Sequence, residues 1–192
     1  APGIGYLYIS AIINGEIGKS YTLTARLTDG RSISSVTTIP VPVPLDSLWF
    51  KVRAVNDNRG WAYARLSDPS APGNSYRWYA KRLNQDDDFI APLGSVFEDK
   101  FFNGLTFDFA ASRGNAPYTN EGDNHDDNDG YFLIGDTIIV KFASTTREGF
   151  EFWRSAESQI ASGGSPFSSP TPLKSNISGG IGIWERYSFT SG

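Results

Sequence analysis

Hydrophobic and polar residues alternate in steps of two over most of the chain, the period of half-buried β-strands. Tyr21, Leu23, Ala25 and Leu27 alternate with threonines and Arg26, and residues 32–39 return as a run rich in β-branched side chains after Asp29-Gly30. Both central positions of such a turn tolerate positive φ. The pattern therefore predicts an antiparallel hairpin, residues 21–27 against 32–39, closed at Asp29-Gly30. Further strands are predicted over residues 5–13, 47–56, 61–67, 75–83, 96–102, 105–111, 137–143 and 182–190. Many short strands broken by Gly, Pro and Asn predict an all-β fold of sandwich-like antiparallel sheets.

One stretch changes period. Thr145-x-x-Glu148 has the form of a capping box, after which Phe150, Trp153, Ala156 and Ile160 recur near helical spacing up to Gly163-Gly164. This predicts one short α-helix near residues 146–161, its aromatic row facing the core. Proline at every second position from Pro40 to Pro44 is incompatible with a central ladder. That run separates the N-terminal strands from the rest of the chain. The expected division is residues 1–39 as strands of an N-terminal Ig-like sandwich whose earlier strands lie upstream, 40–46 as a Pro-rich linker, and 47–192 as a C-terminal β-sandwich domain.

Composition narrows the chemistry. With no cysteine among 192 residues, thiol catalysis, disulfides and thiolate metal sites are excluded. A formal net charge of −4 argues against a nucleic-acid partner, which favours clustered Lys and Arg. No apolar run approaches the roughly 20 residues of a spanning helix.

The densest polar segment is Asn120-Glu-Gly-Asp-Asn-His-Asp-Asp-Asn-Asp-Gly130. Packed carboxylates repel one another unless solvated or neutralised by a cation. Aligning Gly130 with the glycine of a calcium loop puts Asp127, Asp129 and Asp136 at oxygen-ligand positions, but His125 stands where an aspartate belongs. The leading reading is a solvated acidic loop, with weak Ca²⁺ binding as the alternative and no other cofactor expected. His125 is the single histidine, whereas zinc sites recruit several His or Cys ligands.

Catalytic groups are sparse, and no enzymatic activity is expected. A Ser-His-Asp arrangement would have to use His125 in that loop. Carboxylate pairs can be drawn from Glu98, Asp99 and Asp108, or from Glu148, Glu151 and Glu157, but sequence does not give their separation. Aromatic residues make up 14% of the chain, Trp78-Tyr79 and Phe101-Phe102 among them. Flat rings of this kind suit carbohydrate or peptide binding, although rings that alternate through strands more often fill a sandwich interior.

Two motifs carry a resemblance. Thr38, Ile39, Pro40, Pro42, Val43, Pro44, Leu45, Asp46 and Ser47 form one; Pro166 and Phe167 with Ser175, Asn176, Ile177, Gly179, Gly180, Ile181 and Gly182 form the other; Gly135, Asp136 and Thr137 lie between. From about Tyr21 onward the chain resembles the Bacteroidetes outer-membrane lipoproteins grouped as domain-of-unknown-function family 4249. The resemblance implies a cell-surface module tethered to the outer membrane through an N-terminal lipid anchor outside this chain. It further implies a TonB-dependent outer-membrane transporter as partner, to which a captured small nutrient is presented. The alternatives are a structural or interaction subunit of an outer-membrane complex and, more remotely, a secreted hydrolase. The rigid Pro/Gly-rich C-terminal segment is the expected docking element, with Phe167, Leu173 and Trp184 as partner-binding residues.

Overall fold

The computed structural model describes residues 14–114, 130–162 and 172–191. Among them the order is β1 (Ser20–Arg26), β2 (Ser32–Thr38), β3 (Ser47–Val52), β4 (Arg59–Ser67), β5 (Ser75–Arg82), β6 (Val96–Glu98), β7 (Thr106–Ala111), β8 (Phe132–Leu133), β9 (Ile138–Thr145), α1 (Arg147–Ser162) and β10 (Ser188–Ser191). The strands pair antiparallel in three sheets: β1-β2, β10-β9-β5-β6 and β3-β4-β7, with the short β8 pairing with β4 at Arg59 and Gly60 beside the stretch that β7 occupies. The all-β fold with one helix is as the alternation predicts. The expected strand over 5–13 lies outside the described residues.

The two four-stranded layers face each other across one core. Ala62, Ala64 and Leu66 of β4 point inward, opposite Tyr76, Trp78 and Ala80 of β5 and Val140 and Phe142 of β9. Small side chains on β4 leave room for large rings on β5 and β9. Tyr76 stacks on Phe142 at 5.2 Å, and Trp78 meets Phe109 of β7 edge-on at 5.8 Å. Each ring removes about 150–250 Å² from water, so these few side chains dominate the driving force. The Tyr76 hydroxyl donates to Asp68 at 2.5 Å, and Asp68 also accepts the Gly104 N–H at 3.0 Å.

The expected β1–β2 hairpin forms, with Arg26 opposite Ser32 and Ser20 opposite Thr38, one residue off the register that a two-residue turn at Asp29-Gly30 would set. Its turn differs from the predicted two-residue type. Leu27 accepts the Gly30 N–H and donates its own N–H to Arg31, and Gly30 alone is left-handed at φ 87°. This is a three-residue loop with glycine at the bulge, and Asp29 contributes by accepting the Arg31 N–H.

Other differences have local causes. β3 stops at Val52 because Arg53 and Arg59 converge on the Asp57 carboxylate in the turn, which holds it down at a pKa of about 2 through hydrogen bonds led by those of Arg59. The strand expected over 96–102 stops at Glu98, where the Asp99 N–H turns to Asn74 and a 3-10 turn begins. The helix begins one residue later than the capping box implies: Thr146 caps it, accepting the Gly149 N–H at 3.1 Å, while Thr145 belongs to β9. Phe150 is buried, but Ile160 is 67% exposed, so the apolar row does not reach the end of α1.

Residues 182–187 do not join a ladder. The Asn176 side chain captures both backbone groups of Trp184, accepting its N–H at 2.9 Å and donating to its carbonyl at 2.8 Å. The same segment is fastened to the hairpin: Ser34 and Ser178 form a two-way backbone bridge, and the Ser35 hydroxyl donates to the Asn176 carbonyl at 2.8 Å. Gly179 sits so close to β2 that a Cβ would meet the Ser32 carbonyl at 2.8 Å. The Ser175–Gly182 run thus docks along β2, the strand that leads into Thr38-Ile39-Pro40. In the proline run, Val43 is buried in the inter-sheet core and its N–H donates to the Ser144 hydroxyl at 3.1 Å.

Candidate ligand-binding cleft

On one side of the sandwich both layers end in an edge strand, β6 in one and β7 in the other. The chain crosses between them through Phe102, and this crossing leaves a cleft of 330 Å³. Its walls are the rings of Trp78, Phe97, Phe102, Phe107 and Phe109, and its rim includes Pro92, Leu93 and Gly94. Alternation puts Phe107 and Phe109 on the inward side of β7, and with no further strand among the described residues to cover that edge their rings are only half-buried. Phe102 and Phe107 lie 4.4 Å apart, and Phe97 and Phe109 5.6 Å.

The wall holds one unmet polar group. Trp78 is 2% exposed, and its indole N–H has no hydrogen-bond partner among the described residues. An indole nitrogen can only donate, and leaving such a group unpaired costs about 1–3 kcal/mol. Apolar ring planes suit a flat, largely uncharged ligand, and the volume falls at the small end of ligand sites, about 300–1,000 Å³. A larger groove of 500 Å³ runs beside Pro40–Pro44, lined by prolines and small side chains with Tyr76 its one ring.

The rim is tied to the helix. Glu157 of α1 accepts the Gly94 N–H at 3.0 Å and the Ser95 hydroxyl at 3.4 Å. Burial pushes its carboxyl above the ordinary value, although these bonds and Arg77 favour the ionised form. Beneath α1, Arg77 is buried with its guanidinium 3.6 Å over the Trp153 ring. Glu185 accepts the Trp153 indole N–H at 3.2 Å and a hydroxyl hydrogen bond from Thr145. Burial raises the Glu185 carboxyl too, with the Trp153 indole, the Thr146 backbone and Arg77 opposing the shift. No sequence pattern pointed to Glu185, because a lone glutamate between Trp184 and Arg186 reads as exposed.

The sequence-derived candidates are scattered. Asp136 accepts the Leu133 N–H at 2.8 Å and the Gln85 amide at 2.9 Å, so both its oxygens are committed to the turn between β8 and β9. Asp127, Asp129 and His125 lie outside the described residues, and no group of three metal-ligating side chains is present among those described. Leu173 and Trp184 are half-buried, Trp184 in the seam beside the hairpin; Phe167 is outside the described residues. The carboxylates are also dispersed: Glu98 and Glu151 pair with Arg147, Asp108 with Arg65, and Asp99 accepts the Gly73 and Asn74 N–H groups. Of the aromatic pairs, Trp78 and Phe102 reach the cleft. Phe97, Phe107 and Phe109 were predicted only as strand residues, since inward alternation does not reveal which strand is an edge.

The model of the domain of unknown function DUF4249 matches residues 3–192. The chain belongs to the DUF4249 family. No curated protein and no solved structure matches it. Of the sequence motifs, the Ser175–Gly182 run docks on the hairpin and Val43 of the proline run is buried in the inter-sheet core; neither run lines the cleft.

Proposed function

We propose that this DUF4249 protein is a non-catalytic binding module that holds a small, flat, largely apolar nutrient in the cleft between β6 and β7. As a lipid-anchored subunit at the cell surface, it would hand that ligand to a TonB-dependent outer-membrane transporter. The cleft supports the binding half of this reading, above all the converging rings of Phe97, Phe102, Phe107 and Phe109 that line it. The transporter half rests on the resemblance of the two sequence motifs.

The binding half is tested with planar, neutral, carbonyl-bearing fragments, coumarin first, monitored through the ¹⁵N–¹H resonance of the Trp78 indole. Saturable displacement of that resonance is expected, with about tenfold weaker binding in Phe102→Ala at unchanged fold, the loss of one stacking ring. A Trp78 resonance indifferent to every fragment contradicts the reading. The transporter half is tested by co-purification of the anchored protein from native outer membranes, where a TonB-dependent transporter is the expected partner in stoichiometric amount.

A further inference from the structure

The outward face of the sheet carries a second constellation, separate from the cleft. Tyr79 and Lys81 of β5, Lys141 of β9 and Phe189 of β10 point away from the core because their neighbours Trp78, Ala80 and Phe142 point into it. The Lys141 ammonium sits 4.6 Å from the centre of the Phe189 ring, 5.0 Å from Tyr187 and 5.3 Å from Tyr79. Lys81 and Lys141 both approach Phe89, at 5.4 and 6.0 Å. Helix α1 covers the other end of this face, where Arg77 lies against Trp153, and leaves this end open: Phe89, Tyr187 and Phe189 are 38%, 38% and 55% exposed.

Rings attract an ammonium but offer it no strong acceptor, and its three N–H donors need oxygen. Neither lysine pairs with a carboxylate among the described residues, whereas Arg31, Arg53, Arg59, Arg65, Arg82 and Arg113 each do. The site therefore combines ring faces that can stack on the C–H face of a pyranose with two cations lacking a counter-charge. We propose that this face binds an acidic oligosaccharide, its sugar rings against Tyr187 and Phe189 and a carboxylate on Lys141 and Lys81. An anionic bilayer fits less well: the chain carries a net charge of −4, and long-range repulsion would oppose contact with an extended anionic surface.

Calorimetric titration at low salt with trigalacturonate, a triuronate of the glucuronate series and neutral maltotriose tests this. At least one acidic trisaccharide is expected to bind, and to bind about tenfold more tightly than maltotriose. Lys141→Gln and Phe189→Ala should each weaken it about tenfold with the melting temperature unchanged, and Lys141→Arg should retain it. Leu93→Glu, at the cleft rim, should leave it untouched, which keeps this outcome independent of the cleft reading. Absence of binding by both acidic sugars, equal binding of maltotriose, insensitivity to Lys141→Gln, or binding to phosphatidylglycerol vesicles in place of the sugars would overturn the proposal.

Discussion

The two faces of the β10-β9-β5-β6 sheet are built from the same strands and held by different physics. Inward, Tyr76, Val140 and Phe142 are sealed against β4, Trp78 lies between that core and the cleft, and stability comes from area and shape. Outward, Arg77, Tyr79, Lys81 and Lys141 alternate cations with rings, and stability there depends on charges partly shielded by α1. Trp78 and Arg77 are neighbours in sequence and opposite in role. The inner face tolerates almost no change of volume; the outer face is where substitution can alter binding and leave the fold intact.

The sharpest way to break this comparison is Phe142→Ala. Phe142 is 0% exposed and contacts the rings of Tyr76, Phe97 and Phe109. Its truncation should cost about 3–5 kcal/mol in denaturant unfolding, since the surrounding rings cannot collapse into the space. A loss under about 1 kcal/mol would mean that the inner face is loosely packed.

On the outer face, Arg77→Met should cost less, about 1–3 kcal/mol. It keeps the apolar stem under Trp153 but removes the cation that faces Glu185 and Glu157. The loss should be larger at about pH 8 than at about pH 4.5, because only ionised glutamates need that cation.

The titration itself has a definite sign. The folded state holds the Glu185 and Glu157 protons more tightly than the unfolded chain does, chiefly through burial. Their contribution is full below the ordinary value of 4.5 and is lost as pH rises through their raised folded values. Asp86 works oppositely: desolvation is overcome by Arg82 and Arg113, which hold it at about 2, so its contribution is present above the ordinary 3.8 and is lost toward pH 2. Glu185→Gln should therefore raise the melting temperature at about pH 8 relative to the parent and converge with it at about pH 4.5. Equal differences at both pH values would contradict the assignment. The smallest stability effect is expected from Lys141→Gln, within about 0.5 kcal/mol by thermal unfolding, as for an unpaired surface cation.

The information the sequence disclosed divides along the same line. Period-two alternation located the hairpin and most core strands, because burial of one face forces that spacing. Boundaries were lost where a side chain took over backbone bonding: Asp57 ended β3, Thr146 displaced Thr145 as helix cap, and Asn176 held Trp184 out of the last strand. The two-residue β8 was too short to carry a pattern. The cleft was half legible, since Trp78 and Phe102 stood out as rings, but its existence depends on β6 and β7 both being edges on the same side, a tertiary fact. The lysine-centred platform was invisible because Lys141, Tyr187 and Phe189 come together only through the pairing of β9 with β10.

The most direct measurement for the central claim is a titration of the parent protein and Leu93→Glu with coumarin, read at the Trp78 indole resonance. Leu93 is 59% exposed at the rim, so the charge should leave the fold intact while disfavouring an apolar ligand. The account predicts saturable displacement in the parent and binding weakened about tenfold in Leu93→Glu at equal melting temperature. Displacement of identical affinity in both proteins, or none in the parent, would contradict a ligand site between β6 and β7.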